Sequence, residues 1–353
     1  DWSSDVCSSD LIGNLAKCYS IAPLHYQGMD YFLVAAEKVG RCILFDLDGN
    51  EVDTVWTEPG GAMSIVQVPG TDGQFLSTYK CYSPNDSKEA GIVYVTPRGK
   101  GDWLVTTLVV LPHVHRFDIL ERGGVRYLIA CTLKSGHEFK DDWSKPGKVY
   151  AAVLPENLNI FNQENPLHME VIKDGLTKNH GYYRVDLDGT PGSVVSAEDG
   201  VFLFTPPAEP GRQWGVECLL DTPASDALLA DLDGDGEQEL AVIAPFHGDS
   251  ISIYKKEDGR YRNAYAYDKS AEFAHSIFGG MLCGKTRVVI GHRKGARDLL
   301  AFTYNQDTKS YEVQVLDKDC GSANVFRYTN HGKDVLISTN REIDEIAMYI
   351  LEP

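Results

Sequence analysis

The chain has 353 residues, with 33 Lys+Arg against 51 Asp+Glu and a formal net charge of −18. Hydrophobic residues make up 43% and charged ones 24%, which excludes disordered and collagen-like chains. The acid excess argues against a nucleic-acid partner, which needs a basic stripe, and no run nears the roughly 18 apolar residues that would cross a membrane as a helix.

From the N-terminus, residues 1–11 read DWSSDVCSSDL. They lack the charged, apolar and small-residue segments of a signal peptide. The string is identified as the in-frame translation of a common sequencing-adapter oligonucleotide. The expectation is a bacterial gene recovered from a shotgun or metagenomic assembly, its native fold confined to residues 12–353. The segment holds three acids and Cys7, so the remainder carries a net charge of −15 and cysteines at 18, 42, 81, 131, 218, 283 and 320. Their odd number and wide scatter, with no CxxC pair, fit reduced core thiols in a cytoplasmic protein.

Strand signals then dominate: short β-branched and aromatic runs bounded by Gly, Asp, Asn and Pro. In chain order the clearest are YFLVAA (31–36), RCILFDL (41–47), VRYLIACT (125–132), SVVSAE (193–198) and ELAVIAP (239–245). SISIYKK (250–256), TRVVIGH (286–292), LLAFTY (299–304), DVLIST (334–339) and IAMYIL (346–351) follow. No long amphipathic helix is legible. The strands repeat in one order, a short entering strand, a Gly- or Asp-rich turn, an apolar strand, a polar loop, a third strand and an outer strand. Entry points fall near His25, Met63, His115, His180, Asp226, His275 and Asn324, with loop insertions at 79–91 and 134–148.

A period of about 40–50 residues with four strands per unit predicts an all-β fold, a single seven-bladed β-propeller over 12–353. The last unit supplies three strands, near 323–328, 334–339 and 346–351. KCYSIAP (17–23) is expected to complete it as the outer strand and close the ring. Two stacked β-sandwiches would explain neither the period nor the short last unit.

The sharpest local motif is Asp231-Leu-Asp233-Gly-Asp235-Gly-Glu237-Gln-Glu239. Alternating carboxylates around glycine turns are how a short loop wraps a hard cation. Asp231, Asp233, Asp235 and Glu239 are therefore candidate ligands for structural Ca or Mg, the alternative being an Asp-Gly turn without metal. Asp186-Leu-Asp188-Gly is a stripped cousin one unit earlier, and Asp46-Leu-Asp48-Gly-Asn50 reads as a hairpin turn. The stretch ADLDGDGEQELAVIAP (230–245) is similar to the FG-GAP/VCBS type of propeller repeat, a likeness that speaks for fold and not for chemistry.

In a propeller, the loops entering first strands and those joining second to third strands open on one face around the axis. The entry loops offer His25, His113, His115, Arg116, His180, Tyr182, Asp226, His275 and Asn324. The other loops offer Glu37, Lys38, Lys80, Lys134, His137, Glu138, Glu198, His247, His292, Arg293, Lys294, Asn340 and Arg341. Only His168 and His331 of the ten histidines fall clearly outside this rim. Histidine serves either as a general base or as a neutral metal ligand. His113-x-His115 on a strand would send both rings to one face, so His113 is a possible ligand of a divalent metal at the rim. Trp143, in the inserted loop, would be either an exposed ligand-binding aromatic or a lid. No GxSxG, P-loop or dinucleotide fingerprint occurs.

Val114-His115-Arg116 and Pro245-Phe246-His247-Gly248 through Lys255 resemble pieces of the propeller in the aldos-2-ulose dehydratase (anhydrofructose dehydratase) family. That resemblance implies loss of water from a 2-keto sugar such as 1,5-anhydro-D-fructose, with His115 at the position of the family's base. The family's cupin domains have no counterpart here. The expectation is a carbon–oxygen lyase on a small carbohydrate, a dehydratase or an eliminase of an oxidised glycoside. Arg116, Lys134 or a divalent ion would hold the enolate oxygen, and His180, Tyr182 or His247 would protonate the leaving oxygen. His25, Lys134, His137, Glu138, His275, His292, Arg293, Asn340 and Arg341 would bind substrate. The alternatives are a non-catalytic FG-GAP propeller binding glycan or protein, and a metal-dependent polysaccharide lyase, which expects a long positive groove.

Overall fold

The computed structural model describes residues 9–351. Its strands form seven four-stranded antiparallel sheets, each a propeller blade. The first strand of the chain, β1 (Ser9–Asn14), belongs to the last blade. Blade 1 is β2 (Cys18–Tyr26), β3 (Met29–Ala36), β4 (Cys42–Asp46) and β5 (Glu51–Trp56). Blade 2 is β6 (Ile65–Gln67), β7 (Phe75–Tyr79), β8 (Gly91–Gly99) and β9 (Asp102–Val110). Blade 3 is β10 (Val114–Arg122), β11 (Val125–Thr132), β12 (Gly147–Leu154) and β13 (Glu170–Leu176). Blade 4 is β14 (Gly181–Leu187), β15 (Thr190–Ala197), β16 (Gly200–Thr205) and β17 (Gly215–Leu220). Blade 5 is β18 (Asp226–Ala230), β19 (Glu239–Ala244), β20 (Ser250–Glu257) and β21 (Arg260–Ala266). Blade 6 is β22 (Ala274–Leu282), β23 (Lys285–His292), β24 (Leu299–Asn305) and β25 (Ser310–Asp317). Blade 7 is β26 (Asn324–Asn330), β27 (Lys333–Asn340), β28 (Glu345–Leu351) and β1.

The first strand of every blade packs against the first strands of both neighbours, from β2 and β6 round to β26 and back to β2, so the ring is closed. Second strands lie in the middle of each blade with other blades on both faces. Buried on both sides, they read as continuous apolar runs, Phe32–Ala36 in β3 and Val288–Ile290 in β23. Outer strands such as β17 and β21 are largely exposed and carry mixed polar sequence. The apolar cores lie between blades: Val185, Val194 and Leu203 of blade 4 pack with Leu229, Leu240 and Val242 of blade 5. Each such side chain buried contributes about 1.5–3 kcal/mol.

An N-terminal strand completes the last blade and closes the ring, as expected, but the identity of that strand and what depends on it are corrected. The closing strand is β1, which pairs with β28 from Ser9↔Tyr349 to Asn14↔Glu345, not KCYSIAP. Residues 17–23 instead enter the innermost strand of blade 1. Ser9, Asp10 and Leu11, set aside as adapter-derived, therefore take part in the fold, while residues 1–8 lie outside the described ones. Physically, β1 and β2 are adjacent in the chain, and only their pairing partners decide which is outer. Consequently His25 does not mark an entry point. It sits near the far end of β2, on the opposite face, with Nδ1 2.7 Å from Asp30 Oδ1. The seven described cysteines are free thiols.

Candidate functional site

The upper face gathers the loops that enter first strands and those that join second to third strands. Three first strands share an irregularity just inside this face. The register runs Cys18↔Ala36 then Ser20↔Ala35, Val114↔Thr132 then Arg116↔Cys131, and Ala274↔His292 then Ser276↔Gly291. One residue is left over each time: Tyr19, His115 and His275. A bulge inserts an unpaired residue and re-aims its side chain, and here all three reach the propeller axis. His180, just before β14, joins them, because Gly181 lets two blades approach. A Cβ there would lie 2.5 Å from Ser225 O and 2.9 Å from Asp226 Oδ1. His247 arrives from the β19–β20 loop with its backbone in the left-handed region at φ 51°, its N–H donating to Ser225 Oγ at 3.2 Å.

The four imidazoles make one cluster. Ring centroids of His180 lie 4.6 Å from His115, 4.8 Å from His247 and 5.2 Å from His275. His115 Nδ1 donates to His180 O at 3.2 Å, and His275 Nδ1 to Ala323 O at 2.8 Å. His180 Nδ1 lies 2.9 Å from Asp226 Oδ2 and 3.3 Å from Ser225 O. With Nδ1 protonated in each case, Nε2 presents a lone pair inward. Tyr19 Oη donates to His275 Nε2 at 3.0 Å, and His247 Nε2 lies 3.3 Å from His180 Nε2.

His115, His180 and His275 are almost wholly buried. Burial holds the His115, His247 and His275 imidazoles well below the ordinary histidine range, and the neighbouring positive charges push the same way. An aromatic deck covers the cluster. His247 is stacked between Phe246 at 3.9 Å and Phe273 at 4.2 Å, and Trp143 meets Phe246 edge-on at 5.4 Å. Lys178 lies over Phe246 and Arg293 over Phe273, so cations ring the deck from outside. Trp143 is half-buried at the edge of this deck, packed under Lys134 Nζ at 3.9 Å.

Of the sequence-derived site residues, His115, His180, His247 and His275 converge. Arg116 adjoins them, its Nη1 donating to Met63 O at 2.7 Å and its guanidinium 5.6 Å from the Tyr19 ring. Arg293 lines the same small cavity and pairs with Glu342 at 2.7 Å. Tyr182 lies deeper along the axis, donating to Asp118 Oδ2 at 2.9 Å and paired with Ser193 Oγ at 2.6 Å. Lys134 is committed to the inserted loops, donating to Asp142 O and Asn85 Oδ1. Glu138 pairs with Lys145 at 3.1 Å on the surface. His292 closes its own loop through Lys294 O and the Asp298 N–H. Asn340 bonds Ser338 and Tyr349, and Arg341 pairs with Glu37 and Glu342.

The expectation that His113 and His115 share a face is corrected. His113 precedes β10 in a left-handed conformation at φ 63°, and its Nδ1 bonds Ser87 Oγ at 2.7 Å. With His115 in a bulge, simple alternation fails, and His113 instead meets His137 at 5.3 Å between ring centroids.

Tyr19 is the site residue that sequence reasoning missed. Once residues 18–26 are placed as a first strand, Tyr19 occupies in blade 1 the second position that His115 and His275 occupy in theirs. Asp226, seen only as one rim residue, proves to be the carboxylate behind His180.

Comparison with known proteins gives the fold a family context. The FG-GAP repeat profile matches residues 223–260, which span blade 5 from its entry loop into β21. The chain is a seven-bladed β-propeller carrying an FG-GAP repeat. Among solved structures the propeller resembles BBS1N, crystallised in complex with ARL6DN, at 13% identity and a TM-score of 0.57. That match covers 99% of this chain and 96% of the other. It also resembles the Dos1 propeller at 8% identity and a TM-score of 0.56, over 91% and 76%. Such likenesses show the fold alone. No curated protein matches the propeller in sequence.

The acidic loop of the FG-GAP repeat, between β18 and β19, opens on the face opposite the histidines. Asp231 accepts from Gly234 N at 2.8 Å and Gly236 N at 3.1 Å, and Glu239 Oε2 from Leu232 N at 2.7 Å. Oxygens of Asp231, Asp233 and Glu239 lie within 4.8 Å of one another, a spacing that suits a cation. Lys255 Nζ stands among them, contacting Asp233, 2.6 Å from Asp235 and 3.6 Å from Glu239. The ammonium supplies positive charge to these carboxylates, and an ion in the loop would compete with it.

Proposed function

We propose that the axial histidine cluster binds a divalent metal ion and serves a carbon–oxygen lyase acting on a keto-sugar. The observation that carries this reading is the trio His180, His247 and His275, each of which offers one ring nitrogen within 4.8 Å of the other two. Tetrahedral ligands at about 2.0–2.1 Å stand roughly 3.3–3.4 Å apart, and the His180–His247 nitrogens are at 3.3 Å. Metal-bound histidine normally gives its other N–H to a carboxylate or carbonyl, as His180 gives to Asp226 and His275 to Ala323.

The neighbouring ketone of such a substrate acidifies the adjacent C–H bond. The ion would polarise that ketone and hold the enolate oxygen, which eases the demand on the base. His115 presents a neutral Nε2 lone pair beside the trio and is the group we assign to take the proton. The C–H electrons then form the C=C bond, and the β-oxygen leaves with its electron pair, taking up the proton that His115 has accepted to depart as water or alcohol. The likeness of Val114–Arg116 and Phe246–Gly248 to the aldos-2-ulose dehydratase family supports the same assignment.

The test is ultraviolet monitoring of enone formation with 1,5-anhydro-D-fructose and with 3-keto-glucosides, before and after chelator treatment. The expected result is an absorbance rise that chelation abolishes and His115→Ala removes with little change in melting temperature. Turnover retained in His115→Ala would exclude it as the base. A second reading is a non-catalytic propeller whose rim binds a partner, supported by BBS1N, a structural relative solved in complex with another protein. Absence of enone from every keto-sugar, together with no retained metal, would favour it.

A further inference from the structure

The cavity bounded by the histidines measures about 30 Å³, room for an ion and about two waters but not for a sugar. Directly beneath, the first strands of blades 1, 2, 3, 4 and 7 enclose an axial chamber of about 400 Å³, within the range of small-ligand sites. Met63 borders both spaces and Arg116, one residue past His115, lines the lower one. The chamber's charged lining consists of Arg116, Asp118 and Arg184 among the described residues. Asp118 is already engaged, accepting from Arg184 Nε at 2.8 Å and Tyr182 Oη at 2.9 Å. Arg116 has no such carboxylate: Nη1 is held by Met63 O, and its Nε is buried without a hydrogen-bond partner. A guanidinium with no carboxylate of its own is the charged group of this lining left for an anionic ligand to pair with. Two guanidinium groups against one carboxylate also make this chamber locally positive within a chain of net charge −18.

We propose that this axial chamber, and not the upper rim, is the substrate-binding site, and that it takes a sugar-sized ligand bearing a carboxylate, which Arg116 holds. The proposal rests on the histidine cluster being the reaction centre, since it places the ligand against that cluster from below. The site thus selects acidic sugars over neutral ones, although the chain as a whole is strongly acidic.

The experiment titrates D-glucuronate and D-glucose into the wild-type protein, Arg116→Gln and Arg116→Lys by calorimetry, with and without chelator, and locates bound glucuronate by crystallography. Glucuronate is expected to bind about tenfold or more tighter than glucose, as a charge-assisted hydrogen bond implies. Arg116→Gln should erase the preference and Arg116→Lys should keep part of it, with glucuronate density in the chamber. Equal binding of the two sugars, no binding of either, density on the upper rim, or a preference unchanged in Arg116→Gln would each overturn the proposal. Zinc content, measured separately, reports on the metal reading: glucuronate selectivity in a protein that retains no zinc would keep the chamber and remove the metal.

Discussion

Asp226 Oδ2 accepts the Nδ1 proton of His180 at 2.9 Å, and both side chains are almost fully buried. The pair joins blades 4 and 5 and fixes the tautomer that turns His180 Nε2 toward the axis. Replacing the carboxylate removes that orientation and the basicity it lends the ring. Asp226→Asn is expected to weaken zinc binding about 10–100-fold, read by competition with a chromophoric chelator. An unchanged affinity would remove His180 from the ligand set.

Tyr19 bears on the same centre in the opposite sense. Its hydroxyl donates to His275 Nε2 at 3.0 Å, occupying the lone pair that a metal needs. Removing a hydrogen bond worth about 1 kcal/mol should make that lone pair easier to recruit. Tyr19→Phe is therefore expected to tighten zinc binding roughly fivefold in the same competition assay. A weaker affinity would instead make the Tyr19 oxygen a ligand.

His113 offers a pH test away from the proposed ligands. Burial pushes its imidazole down to about 4, against about 6.5 in an unfolded chain. Between those values the unfolded state binds the extra proton, so stability rises with pH across the window. The contribution is complete above about pH 6.5 and lost as pH falls toward 4. The melting temperature is expected to fall less between pH 7 and pH 5 in His113→Gln than in the wild type. Equal falls in both proteins would show that His113 is not protonated on unfolding.

Lys255 stands among Asp233, Asp235 and the buried Glu239. Without the ammonium these carboxylates repel one another, one of them out of water. Lys255→Met should lower stability by on the order of 1 kcal/mol, modest because the lysine is partly solvated. Millimolar calcium should restore the melting temperature of the variant more than it raises that of the wild type. A wild-type protein stabilised equally by calcium would show that the ion and Lys255 coexist in the loop.

Much of the fold was legible because the propeller repeats one physical situation. A second strand with blades on both faces must be apolar throughout, so β3, β11, β19, β23 and β27 stand out as runs such as YFLVAA and TRVVIGH. Exposed outer strands give no such signal. Composition therefore does not tell the segment around Cys18, an innermost strand, from an outer one, and the adapter-like string of residues 1–11 hides the start of β1. The histidine content of the rim was legible too, but not its partition into a convergent set and a remainder.

The sequence by itself determined a seven-bladed β ring closed by an N-terminal strand, through its period, its apolar runs and its short last unit. Tertiary structure alone decided which side chains meet. Closing blade 7 with β1 moved Tyr19 to the axis and His25 to the far face, a choice made by pairing across more than 300 residues. Single-residue bulges then turned Tyr19, His115 and His275 inward. Side chains alternate with period two along a strand, so one extra residue reverses what faces the axis. Neither the bulges nor the closing pair leaves a mark in local composition.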